Sequence, residues 1–364
     1  LATLVACGSP EPAPTVARPD SIRVATFNIW ELSREKLDRV DAGGVGTDSQ
    51  ALAAAAVLKR IRPDIVLLNE VDHDADHPGE PARAARDFVA RYLRTGADPL
   101  DYPYVYAAPS NTGVASGLDL NQDGRVVDTP GTRDYGDDAW GFGTYPGQYA
   151  MAVLSRYPID SAAARTFQLF RWQQLPGHHM PTGFWPDSIA AHVRLSSKSH
   201  WDVPVVIGTD TLHLLASHPT PPVFDGPEDR NGRRNFDEIG FWSRYLDGDS
   251  ALIDDAGVRG GLAAPRFVIL GDLNADPERG ELIDGRRAMA QLFEHPRVQH
   301  AAVLDGHATA RFDADTRVDH LLPARGITIL GGGVFWPDSA ADPAGAALAR
   351  RASDHRMIWL DLRW

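Results

Sequence analysis

Apolar and polar positions alternate through residues 22–28 in a β-branched run, which predicts a half-buried strand. Residues 50–61 are rich in Ala and Leu at helical spacing, and Arg62-Pro63-Asp64 ends that helix. Residues 65–68 are continuously apolar, the mark of a buried strand. A second helix is predicted at 81–93. Further strands fall at 149–154, 189–195, 203–207 and 211–217, the last two joined by a Gly208-Thr209-Asp210 hairpin turn. Residues 235–246 place aromatic and aliphatic side chains on one helical face, 266–270 is a strand, and 280–293 is a helix. Strands at 318–322 and 357–362 close the chain.

Strands outnumber helices and their connections vary in length. That suits a mixed-sheet α/β domain rather than a strictly alternating barrel. No internal repeat is visible, nor any linker after Pro19, so residues 21–364 read as one catalytic domain. The Gly-, Asp- and Pro-rich stretch 109–147 reads as an insertion within it. A loop of that length inside a compact domain usually has a task.

Composition narrows the class. The chain is 43% hydrophobic and 23% charged, the usage of a soluble globular protein. Its one cysteine, Cys7, leaves no intramolecular disulfide to form. With 36 Lys and Arg against 49 Asp and Glu, the net charge is −13. That argues against tight, non-specific binding of duplex nucleic acid and suits a protein that gathers acids around divalent cations. Leu4-Val5-Ala6-Cys7 resembles a bacterial lipobox, followed by a Pro- and Ala-rich tether to Pro19. Residues 1–20 therefore read as a signal-peptide remnant, lipobox and tether. No later stretch is apolar enough to span a bilayer. The resemblance implies an exported lipoprotein, anchored to the bacterial cell envelope through Cys7.

Oxygen and imidazole side chains recur where predicted strands end. They are Asn28, Glu70 in Asn69-Glu70-Val71, His218 in Ser217-His218-Pro219, and Asp272 with Asn274 in Gly271-Asp272-Leu273-Asn274. Asp319 follows in Val318-Asp319-His320, and Asp354 with His355 in Ser353-Asp354-His355. Carboxyl ends of strands are where α/β sheets build sites. One such residue alone is more often a turn former; six separate occurrences point to a shared site. With these motifs in this order, the sequence resembles the endonuclease/exonuclease/phosphatase superfamily over nearly all of 21–364.

That resemblance implies a four-layer α/β/β/α sandwich, two mixed β-sheets flanked by helices. It implies a metal-dependent phosphoester hydrolase, with magnesium or manganese bound mainly by Glu70, beside Asn28 and Asp354. Asp272 would orient or deprotonate the attacking water, and Asn274 would contact a phosphate oxygen. Asp319 would fix the imidazole of His355, and His218 would bond the phosphate or assist the leaving group. The chain departs from the family pattern at Asn69, commonly Gln, and at His320, commonly Tyr. A small phosphoester is the expected substrate, cleaved as a monoester by a phosphatase or as a diester by a phosphodiesterase. A secreted nuclease is the alternative; a lipid phosphodiesterase and a non-catalytic surface-binding protein are less favoured.

Secondary signals remain. Asp119, Asn121, Asp123 and Asp128 space oxygens as a calcium loop does, with Gly124 at the turn, but Pro130 stands where a bidentate Glu is expected. Asp134, Asp137 or Asp138 are candidates to complete it. Arg230, Arg233 and Arg234 form a basic cluster suited to steering phosphate. His178 and His179 lie in a loop flanked by Gly and Pro.

Overall fold

The computed structural model describes residues 19–74 and 76–364. Cys7, the lipobox and the tether up to residue 18 lie outside the described residues. Two large mixed sheets form the body. The first takes strands β1 (Ile22–Leu32), β2 (Ile65–Val71), β3 (Tyr104–Tyr106) and β4 (Met151–Ser155). Two late strands, β10 (Thr328–Val334) and β11 (Ile358–Arg363), complete it in the order β10-β11-β1-β2-β4-β3. The second sheet contains β5 (Arg165–Thr166), β6 (His200–Ile207), β7 (Asp210–Ser217), β8 (Phe267–Asp272) and β9 (Asp319–Pro323), in the order β9-β8-β7-β6-β5. Each sheet contains one parallel pair, β1 with β2 and β7 with β8, among antiparallel neighbours.

Period-two alternation along β1 separates two cores. Ala25, Phe27 and Ile29 join Val66 and Leu68 of β2 under helices α1 (Ser49–Ile61) and α4 (Pro343–Ala352). Ile22 and Val24 instead meet Ile65, Leu67, Met151 and Val153 in the cluster that runs through the second sheet. That cluster continues to Phe241, Trp242 and Tyr245 of α3 (Arg230–Asp247). The layers are therefore helix, sheet, sheet, helix, as the resemblance implied. Asp48 caps α1 by accepting from the amides of Gln50 and Ala51, and Asp342 caps α4 with Pro343 behind it.

Two expectations fail. The strand expected at 189–195 is a short helix, Asp187–Ala190, followed by irregular chain. Val193 and Leu195 are buried there with one isolated bridge, Arg171 to Arg194, so burial is met without a ladder. The helix expected at 280–293 is a small hairpin, Leu282–Ile283 against Arg286–Arg287, then a helix only over Ala290–Phe293. Asp284 and Gly285 between them both have positive φ, so the Asp-Gly turn signal overrode the helical spacing. Helix α3 also starts at Arg230, five residues before the expected 235, which brings the arginine cluster onto its first turns.

Candidate active site

Alternation along β1 carries Asn28 to the same face as Val24 and Thr26, toward the second sheet. After Asn28 the pairing with β2 jumps from Asn28–Asn69 to Leu32–Val71. Trp30 and Glu31 absorb the extra length with φ of 55° and 52°. Glu70 is left-handed too, at φ 63°. Continued alternation would send Glu70 outward with Val66 and Leu68; the irregular backbone returns its carboxylate to Asn28. Each such non-glycine residue costs roughly 1–3 kcal/mol, and a cluster of them marks a site rather than a fold requirement.

Asp272, at the end of β8, is the hub. The Asn28 amide donates to its Oδ2 and to Glu70 Oε1, each at 2.9 Å. The Asn274 backbone amide donates to Asp272 Oδ1 at 2.9 Å, while the Asn274 side chain is held by the Pro219 carbonyl at 3.0 Å. His218 and His355 direct Nε2 toward Asp272 Oδ2, at 3.5 and 3.7 Å. Behind His355, its Nδ1 lies 2.9 Å from Asp319 Oδ2. Ser353 donates its hydroxyl to the Asn28 carbonyl at 2.8 Å and receives the His355 amide at 2.9 Å, which fixes the last motif against β1. Asp354 lines the same cavity, beside the Ser353 hydroxyl. All eight residues singled out at strand ends thus meet at one end of the sandwich.

Charge is unevenly distributed. Burial opposes ionisation of Asp272, but His355, His218 and Asn28 outweigh it and hold its carboxyl well below the usual range. Burial also opposes a proton on His355, yet Asp319 and Asp272 together push it up to about 10. Burial raises Asp319 to about 6, against the pull of His355. His218 shifts the other way: burial and the neighbouring Lys198 lower it, and its Nδ1 has no partner. The site pairs an ionised Asp272 with a protonated His355 and a neutral His218 at neutral pH.

Lys198 is the residue that sequence reasoning missed. It sits in the serine run before β6, buried, with its ammonium making no hydrogen bond or ion pair among the described residues. Burial lowers its pKa, with Glu238, Glu70 and Asp272 opposing. Glu238 of α3 accepts from the amides of Ser197 at 2.7 Å and Thr220 at 2.6 Å, which ties the Lys198 and His218 loops together. The one available signal was a lone lysine among serines, and spacing alone says nothing of where such a loop folds.

Glu70, Lys198, His218, Asp272, Asn274 and His355 line one cavity of about 1020 Å³. Arg230 and Arg234 line it too; Arg233 instead faces Asp229 at 3.6 Å. His179 latches its loop to α3 through Asp237, at 2.6 Å, and neither it nor His178 reaches the cavity. Asp119 and Asn121 spend side-chain oxygens on the amides of Asp123 and Gly124, and Asp123 on Arg125. Asp128 stands apart, bonded only by the Thr129 hydroxyl. At the two departures from the family pattern, the Asn69 side chain accepts from the Asp272 amide at 3.2 Å, and His320 bonds the Ala275 carbonyl at 3.0 Å. Both brace the turn that carries Asp272 and Asn274.

The donor set fits a hard divalent cation. Ligand atoms of Asp272, Asp319 and His355 lie within 4.8 Å of one another. His355 lies between the two carboxylates, with Nδ1 2.9 Å from Asp319 Oδ2 and Nε2 3.7 Å from Asp272 Oδ2, which accounts for that convergence. Glu70 and Asp354 are the carboxylates of this constellation that line the cavity and suit a cation, and Asp276 lines it as well. Asn28 lies beneath them with its amide bridging Glu70 and Asp272.

No curated protein matches the sequence. Among solved structures, an endonuclease/exonuclease/phosphatase from Beutenbergia cavernae DSM 12333 is similar at TM-score 0.55 and 18% identity, over 95% of this chain and 72% of that one. A family protein from Leptotrichia buccalis C-1013-b is similar at TM-score 0.53 and 13% identity, over 94% and 100%. A mannosyl-6-phosphatase of Bacteroides thetaiotaomicron VPI-5482 follows at TM-score 0.47 and 12% identity, over 94% and 100%. The sequence matches the Endonuclease/Exonuclease/phosphatase family over residues 25–355, and the chain belongs to that family of phosphoester hydrolases.

Proposed function

We propose that the protein is a divalent-metal-dependent phosphatase or phosphodiesterase acting on small organic phosphoesters. One observation carries the reading: Asp272, bonded by the Asn28 amide and flanked by His218 and His355, faces a cavity that Glu70, Asn274 and the buried Lys198 also line. A phosphoester is an anion that repels a nucleophile, and fixed cations beside a base answer that difficulty. Asp272 orients or deprotonates the attacking water. Asn274 and Lys198 hold phosphoryl oxygens, and neutral His218 adds a hydrogen bond. Asp319 keeps His355 oriented and charged. Glu70 and Asp354 would hold magnesium or manganese, which would supply further neutralisation of the phosphoryl charge. On the same reading the enzyme works outside the cytoplasm, tethered through Cys7, an expectation carried by the Leu4–Cys7 pattern alone.

The test compares nitrophenyl mono- and diesters with plasmid DNA, before and after chelation and with magnesium or manganese restored. Metal-dependent release from a small ester supports the proposal. Plasmid nicking without ester release would replace it with the nuclease, and undiminished turnover in chelated protein would remove the metal.

A further inference from the structure

The cavity does not end at Asp272. It extends into a chamber where the 109–147 insertion supplies the apolar faces of Trp140 and Phe142, and a later loop supplies Trp185. The Trp185 ring nitrogen is already spent on the Leu120 carbonyl at 2.9 Å, so that ring offers apolar surface. Most charges on this wall are matched: Arg133 faces Asp137 at 3.5 Å, and Arg230 is bonded to Glu228. Arg234 is different. Its Nε and Nη2 donate to the carbonyls of Leu195, Trp140 and Arg194 at 2.8 to 2.9 Å, which locks the guanidinium in place. Among the described residues, Nη1 makes no hydrogen bond and no carboxylate lies within ion-pair distance of the side chain. The guanidinium is part-buried and rigid, and Glu238, which attracts it from beyond ion-pair distance, already accepts two backbone amides, so leaving the cation without a close anion is costly in a free protein. It is unusual in a chain carrying thirteen excess negative charges. Arg234 stands in the second turn of the 18-residue helix α3.

We propose that this chamber is a leaving-group subsite for a ring that carries a second anionic group, the ring against Trp140 and Trp185 and the anion on Arg234. This rests on the phosphoester reading above but adds a substrate class to it. The chamber selects against a neutral or cationic ring of the same size.

The test measures kcat/KM for phenyl phosphate, 4-carboxyphenyl phosphate and 4-(aminomethyl)phenyl phosphate. The carboxylate ester is expected to exceed the phenyl ester by about tenfold, one charge-assisted contact, with the ammonium ester poorest. Arg234→Gln should bring the carboxylate-to-phenyl ratio toward one. Calorimetry adds a readout that needs no turnover: 4-hydroxybenzoate should bind the unmodified protein, and 4-hydroxybenzamide should bind at least tenfold more weakly. Equal binding of acid and amide, or a wild-type ratio near one, overturns the subsite. A ratio that Arg234→Gln leaves unchanged, with all esters slowed alike, moves Arg234 to the scissile phosphate and also overturns it. If no ester is cleaved but the acid still binds selectively, the subsite stands and the hydrolase reading falls.

Discussion

Asn28 and Asp272, 244 positions apart, are joined across the two sheets by a 2.9 Å hydrogen bond. The same amide nitrogen serves Glu70. One neutral group therefore spaces two carboxylates and screens their repulsion. Removing it in Asn28→Ala should lower kcat/KM roughly 10–100-fold, the usual effect of losing a partner that orients a ligand. Asn28→Asp should cost more, because it sets a third negative charge between the other two. Steady-state kinetics on a nitrophenyl ester decides it. Near-wild-type rates in Asn28→Ala would show that the brace is dispensable.

Lys198 makes a prediction of opposite sign for stability and activity. Burial of the Lys198 amine outweighs the attraction of Glu238, Glu70 and Asp272, none of which lies within ion-pair distance, and so destabilises the free fold. Lys198→Met keeps the length and removes the charge, so the melting temperature should hold or rise. The rate should fall on the order of 100-fold or more, as when a charge-stabilising donor is lost. Loss of both stability and rate would mark Lys198 as a structural residue instead.

His218 is neutral in the free site, since burial and Lys198 both disfavour its proton. His218→Gln retains a hydrogen-bonding group of similar reach; His218→Ala does not. If His218 serves as a hydrogen-bonding group, Gln should retain at least tenfold more activity than Ala, on the scale of one such contact. Equal, complete losses in both variants would point to obligatory proton transfer by the imidazole.

Much of the site was legible because its residues sit where strands stop, and strands announce themselves by period. Asn28 ends an alternating β-branched run, Glu70 follows the continuously apolar 65–68, and Asp272 follows the apolar strand at 266–270. Their convergence was legible only through the family motif order. The bulge that turns Glu70 inward leaves no trace in residue type, since Trp30 and Glu31 are not left-handed formers. Lys198 was invisible because its position depends on Glu238 gripping two loops from a helix forty residues on. The strand Thr328–Val334 hid behind three consecutive glycines, and Pro343–Ala352 behind a start that reads as a turn.

The pair formed by His355 and Asp319 should write itself into the pH dependence of stability. In the fold His355 keeps its proton up to about 10, against about 6.5 for an unfolded histidine. Between those values the folded protein holds a proton that the unfolded chain has released. Stability must then fall as pH rises through that window. The contribution is complete below pH about 6.5 and gone above about 10, with a slope of at most about 1.4 kcal/mol per pH unit for one proton. Asp272 acts in the opposite direction. Its depressed carboxyl contributes stability that is present above the ordinary carboxylate value and lost as pH falls through the lowered one. Lys198, its pKa lowered by burial, titrates on the alkaline side with the opposite sign, so the His355 contribution is read as the difference between the wild type and a variant that lacks the pair. Replacing both partners, in Asp319→Asn with His355→Gln, removes the titration without leaving either charge buried by itself. Melting temperatures measured from pH 6 to pH 10 should decline more steeply for the wild type than for the double variant. Parallel curves would mean that His355 is not held protonated, and the cation assigned to the phosphoryl group would have to come from Lys198 and the metal.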